Sequence, residues 1–207
     1  MHLERLFRSV PGQLARMQDG SAARFRFRDA VPGIHGYDRL AGTIDWLQAG
    51  RLLLRTSIVQ GGVLPLSAFT VENRFKLYVF DVGILGAVSG LSPRTLLEWD
   101  FRTYKGYFAE NYVAQEFTAA GEKPLYAWSE GSAEVEFLHG SSGAVLPVEV
   151  KSGNVTQAKS LGVFAGRYGP AYRTILSARN ASFDMERRIH RLPLYLAGRF
   201  PLVPAGS

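Results

Sequence analysis

The chain has 207 residues, 46% of them hydrophobic, a formal net charge of +6 and no cysteine. That length can bury one sizeable core, or one core with a small satellite, while the missing cysteines exclude a disulfide framework and a zinc–thiolate site. The basic balance favours a polyanionic partner, because positive surfaces concentrate phosphates. No apolar run approaches membrane-spanning length and Met1-His2-Leu3-Glu4 does not open a signal peptide, so the expected setting is the cytoplasm, with no membrane contact.

Leu3, Leu6, Phe7 and Val10 have helical spacing and predict a first helix that ends at Pro11. A second short helix is expected over residues 13–17. Arg24-Phe25-Arg26-Phe27-Arg28 alternates strictly. As a strand it would put three arginines on one face and two phenylalanines on the other. The arginine face is either the solvated side of an edge strand or a set of phosphate contacts. Residues 37–49 read as a helix with Leu40, Ile44 and Leu47 on its apolar stripe, and Gly50 is placed to end it. A strand over residues 51–59, a turn at Gln60-Gly61-Gly62 and a short return at Val63-Leu64-Pro65-Leu66 follow. Helices followed by a hairpin suggest a winged helix over residues 1–70, a module that serves DNA binding or protein contact.

Phe75-Lys76-Leu77-Tyr78-Val79-Phe80 reads as a strand, with Asp81 as the cap of a helix over residues 82–88. The next helix is expected over residues 104–120. Glu110 lies near its core-facing stripe, where a carboxylate needs a partner or a metal. Leu125-Tyr126-Ala127-Trp128, Ala133-Glu134-Val135-Glu136-Phe137 and Pro147-Val148-Glu149-Val150-Lys151 then form a three-strand meander, with turns at Glu130-Gly131-Ser132 and Gly140-Ser141-Ser142-Gly143. A helix over residues 157–168, a strand over residues 172–178 and a last helix opened by Pro193 complete the chain. The four histidines are scattered and have no metal-ligand spacing.

The second and third meander strands carry the chemistry. A strand sends alternate side chains to opposite faces. Glu134 and Glu136 are thus expected on one face and Glu149 and Lys151 on one face, with Val135, Phe137, Val148 and Val150 turned into a core. Side by side, the strands would present three carboxylates and one ammonium to one spot. Oxygen donors of that kind suit a hard cation such as magnesium, and a neighbouring lysine can orient a water or neutralise a phosphate. That is the layout of a metal-dependent nuclease. Alternating charge is also how the wet face of an antiparallel sheet looks. Lys159, early in the following helix, either approaches that site or is a solvated lysine.

Several stretches in this order resemble one family. They are Val10-Pro11-Gly12-Gln13-Leu14-Ala15, Asp45-Trp46-Leu47 with Ala49-Gly50, Phe75-Lys76-Leu77-Tyr78 with Asp81-Val82-Gly83, and Glu110-Asn111-Tyr112-Val113. They continue through Ala133-Glu134-Val135-Glu136-Phe137, Pro147-Val148-Glu149-Val150-Lys151-Ser152-Gly153, Lys159-Ser160-Leu161 and Pro193-Leu194-Tyr195-Leu196-Ala197. The chain resembles the C-terminal part of prokaryotic AAA-superfamily ATPases, in which a winged helix is followed by a domain like the PD-(D/E)xK restriction-endonuclease fold. The resemblance implies an α/β (α+β) chain, with a winged helix over residues 1–70 and an α-β-β-β-α-β nuclease-like domain over residues 71–207. It implies magnesium or manganese held by Glu110, Glu136, Glu149 and the carbonyl of Val150, with Glu136, Glu149 and Lys151 as the catalytic set. Glu134 would support that set, and the substrate would be DNA more than RNA. Arg24, Arg26 and Arg28, from their alternation, and Lys159, from its place early in the helix, are the candidate nucleic-acid contacts. No G-x-x-x-x-G-K-[ST] motif occurs, so this chain has no ATP site of its own and an ATPase would be a partner chain. The family pattern has aspartate where Glu136 stands. The alternative function is a catalytically inactive nucleic-acid-binding or protein-contact module that regulates such an ATPase.

Overall fold

The computed structural model describes residues 2–18, 24–97, 105–121, 124–141, 143–153 and 158–202. The expected helix starts at Tyr104 and Gln157, and the turn residue Ser142, lie outside them. The elements are α1 (His2–Gln18), α2 (Ala41–Ala49), β1 (Leu53–Val59), β2 (Thr70–Val79), α3 (Val82–Val88), α4 (Pro93–Leu97), α5 (Lys105–Ala119), β3 (Leu125–Glu130), β4 (Ala133–Ser141), β5 (Ala144–Val150), α6 (Lys159–Tyr168), β6 (Arg173–Ser177), β7 (Ser182–Asp184) and β8 (Ile189–Pro193). The strands hydrogen-bond in the order β2-β1-β3-β4-β5-β6-β8-β7, a mixed sheet in an α/β chain. The chain divides into two compact units, residues 1–56 with 72–115, and residues 57–71 with 116–207.

In the first unit the helix that was expected to stop at Pro11 runs through it. Proline removes one amide donor and crowds the carbonyl four residues back. Here the continuous stripe Leu6, Val10 and Leu14 outweighs that cost, since all three are buried. α1 packs against α2 and α3. Leu40, Ile44 and Leu47 are buried as their spacing requires. Gly50 follows α2 in right-handed conformation, and the left-handed residue is Arg51 (φ 56°).

The arginine-rich stretch is not a strand. Phe25 and Arg26 are extended and Phe27–Asp29 is a turn of 3-10 helix. Its one backbone bond to β2 runs from the Phe25 N–H to the Phe75 carbonyl (3.0 Å). Gln13 takes the place of a strand partner: its Oε1 accepts from the Arg26 N–H (3.0 Å) and its Nε2 donates to the Arg26 carbonyl (2.9 Å). Alternation survives in burial, with Phe25 buried and Arg24, Arg26 and Arg28 exposed. The expected short return at residues 63–66 is instead a turn leading into 3-10 helix Leu66–Phe69, and β2 is one ten-residue strand that absorbs the Phe75–Val79 run. Asp81 caps α3 as its position demands, its Oδ1 accepting from the Ile84 N–H (2.8 Å).

In the second unit the meander forms as read. β3 and β4 are joined by the two-residue turn 131–132, with Gly131 at φ 61°, and both pairings of the meander are antiparallel. β5 then pairs parallel with β6, which requires a crossover; α6 supplies it. One face of this sheet packs Trp128, Val135, Leu138, Val145 and Ile175 against Leu161 and Phe164 of α6. Each such side chain stabilises the fold by about 1.5–3 kcal/mol on burial. On the other face Phe137 meets Phe117 (ring centroids 5.4 Å), which also meets Phe200 (5.7 Å). The last segment, Leu194–Arg199, is 3-10 rather than α-helix.

Candidate functional site

β5 ends in Glu149, Val150 and Lys151. The Lys151 Nζ lies 2.5 Å from the Glu149 Oε1, so these two side chains share a face as alternation predicts. Glu149 is almost fully buried, whereas about a third of the Lys151 side chain is exposed. The pair sits at the carboxyl end of a strand whose neighbour on one side is parallel, where open α/β sheets place ligand crevices.

β4 does not keep the strict alternation that its sequence suggests. Tyr126 pairs with Leu138 while Trp128 pairs with Val135, so β3 advances two residues where β4 advances three. One extra residue therefore sits in β4 as a bulge. Val135 and Leu138 consequently share the α6 face, which is also the face of Glu149 through its partner Ile175. Glu134, opposite Ser129, points to the other side. Glu136 lies in the bulge itself. The ladder between β4 and β5 reaches Phe137 and Val148, and just beyond it the Glu136 Oε2 accepts from the Val150 N–H at 3.3 Å. A side-chain carboxylate thus continues the pairing where the backbone ladder stops. It also brings Glu136 beside the residue between Glu149 and Lys151.

Lys159 is the first residue of α6 and is exposed. The first turn of α6 is tied to β4 by the Ser160 Oγ, which accepts from the Glu134 N–H (3.3 Å).

Glu110 belongs to the first unit. Its Oε2 accepts from the Tyr78 hydroxyl (2.9 Å) and forms an ion pair with Lys76 (3.5 Å), whose side chain is only 4% exposed. The partner a core-facing carboxylate needs is therefore present on β2, at positions i and i+2 of one strand face. The signal for it was a lysine set in an otherwise apolar run. Asn111, next on α5, holds Val79 at the end of β2. Arg24, Arg26 and Arg28 also belong to the first unit, with Lys159 in the second. In neither unit do three His, Asp or Glu side chains among the described residues gather as a metal cage. No helix among them is long and apolar enough to cross a membrane.

No curated protein and no solved structure matches the chain. Residues 105–197, from the start of α5 to the 3-10 turn after β8, match the family model of a domain of unknown function, DUF4143.

Proposed function

We propose that the β4–β5 end is a magnesium-dependent phosphodiesterase centre acting on DNA, built on Glu136, Glu149 and Lys151. The observation that carries the reading is the Glu136–Val150 hydrogen bond, which fixes one carboxylate next to the Glu149–Lys151 pair. The donor set fits the ion: magnesium takes hard oxygen ligands and is commonly held by only one or two carboxylates together with substrate phosphate. When bound, it would polarise the scissile phosphate and lower the pKa of a water. Glu136 and Glu149 would hold it, with the Val150 carbonyl close by. Lys151 would exchange its hold on Glu149 for the phosphate and neutralise charge developing there. Glu110 is already charge-paired by Lys76, so the proposal does not require it.

A second reading is a non-catalytic module that binds nucleic acid or docks on an ATPase chain. It is favoured by the internal use of both carboxylates, Glu136 on a backbone N–H and Glu149 on Lys151. Cleavage of plasmid and oligonucleotide DNA in magnesium or manganese separates the two, alongside calorimetric titration of each ion. Cleavage and ion binding that are both lost in Glu149→Gln support the centre. A wild-type protein that binds neither ion sinks it and leaves the docking reading.

A further inference from the structure

We infer that Arg191 is a phosphate-positioning residue, which holds the nucleic-acid backbone next to the β5 end. The inference rests on the reading above for the class of ligand. It starts from a row across four strands. Glu149 pairs with Ile175, Ile175 with Arg191, and Arg191 with Ser182. Register partners face the same side of a sheet. Arg191 therefore rises from the face that carries Glu149, two strand spacings or about 10 Å away. Only the apolar Ile175 stands between them in the row.

Arg191 is half-buried, yet its guanidinium makes no hydrogen bond or ion pair with any described residue. Holding a charged group partly out of water without an acceptor is unfavourable. An incoming anion removes that cost. The charged neighbours on this face point the same way. Arg173, on β6, donates from Nη2 to the Arg187 carbonyl (2.5 Å) and keeps its charge. Asp184, on β7, is the nearby carboxylate, and Arg187 engages it twice. Its Oδ1 accepts from the Arg187 N–H (2.9 Å), and its Oδ2 lies 3.9 Å from the Arg187 Nε. Asp184 is thus engaged by Arg187 and not by Arg191. A guanidinium is the group best shaped for two parallel bonds to a phosphate. A strand whose scissile phosphate lies at Lys151 would present a neighbouring phosphate toward Arg191.

The test is fluorescence anisotropy of the full chain with a labelled, mixed-sequence single-stranded DNA in EDTA, across a salt series. Wild type, Arg191→Ala, Arg191→Gln, Arg191→Lys and the control Arg39→Ala, an exposed arginine of the first unit, are compared, each with its urea midpoint. Arg191→Ala and Arg191→Gln are expected to weaken binding about tenfold or more. Their slope of log affinity against log salt should fall by about 0.7, the value for one phosphate of a single strand. Arg191→Lys should keep the slope, and Arg39→Ala should change neither quantity. Wild-type affinity and slope in a folded Arg191→Gln overturn the inference, as does a wild type that binds no DNA at low salt. Should wild type bind through Arg191 but never cleave with magnesium, the contact stands and the catalytic reading falls. Should it cleave while Arg191→Gln binds normally, the contact alone falls.

Discussion

Asn111 closes the end of β2 by gripping both backbone polar groups of Val79. Its Oδ1 accepts from the Val79 N–H and its Nδ2 donates to the Val79 carbonyl, each at 2.8 Å. The side chain is fully buried, so water cannot replace either bond. Asn111→Asp puts an acceptor against the carbonyl, and Asn111→Leu leaves both groups unsatisfied. Each lost buried bond costs about 1–3 kcal/mol. Both variants should show a markedly lower urea midpoint than wild type, and a wild-type midpoint in Asn111→Leu would refute the clamp.

The Lys76–Glu110 pair predicts strong non-additivity. Removing one member strands a buried charge at a cost of about 3–5 kcal/mol, whereas replacing both by apolar groups is often neutral. Lys76→Met should therefore be more destabilised than Lys76→Met/Glu110→Leu. A double-mutant cycle by denaturant unfolding checks this, with the Tyr78 hydroxyl as the remaining partner of Glu110 in the single variant.

Glu136 has a structural bond and a proposed chemical role, and these can be parted. Glu136→Gln keeps an oxygen to accept from the Val150 N–H but removes the charge. It should unfold like wild type and lose divalent-ion affinity and cleavage. Glu136→Ala removes the acceptor too and should lose about 1–3 kcal/mol of stability. Equal stability of the Ala and Gln variants would mean the 3.3 Å contact contributes nothing.

His190 supplies a pH limb. It is buried, stacked on Tyr172 (centroids 3.9 Å) and edge-on to Phe183 (4.9 Å), and burial holds its imidazole below its ordinary value of 6.5. The folded state thus binds fewer protons than the unfolded chain once pH drops below about 6.5. Stability should be level above that pH and fall as pH falls through the window below it. His190→Phe should flatten this part of the curve. An unchanged slope in the variant would assign the limb to other groups.

Gly62 lies where no side chain fits. A Cβ there would come within 2.6 Å of Tyr168 Cδ2 and 2.7 Å of the Phe164 ring. These rings pack beside Trp128, and displacing them costs about 1–3 kcal/mol. Gly62→Ala should lower the unfolding midpoint, while Gly36→Ala, with open space at its Cβ, should not on steric grounds.

Much of this was legible because local rules decided it. The meander, the helix that follows it, the Asp81 cap and the shared face of Glu149 and Lys151 all follow from periodicity, turn residues and capping chemistry. The misses share another cause, which is tertiary override. Pro11 looked like a stop because the proline penalty is local, while the apolar stripe that carries α1 past it is satisfied only by packing. Arg24 to Arg28 has a strand's alternation, but Gln13, far away in sequence, fills the place of a neighbouring strand. The partner of Glu110 was unreadable as a pair, because 34 residues separate it from Lys76. Arg191 carried no signal in its own neighbourhood, since only the parallel register of β5, β6 and β8 puts it in line with Glu149.

The bulge in β4 works as a parity switch. Before it, odd-numbered side chains serve the α6 face; after it, even-numbered ones do, as Val135 and Leu138 illustrate. The strand can thus keep two independent hydrophobic commitments while its one surplus residue, Glu136, answers to neither. Deleting that residue would restore a regular ladder to β4. It would also erase the surplus position, set beside the β5 end, from which a carboxylate reaches the Val150 N–H.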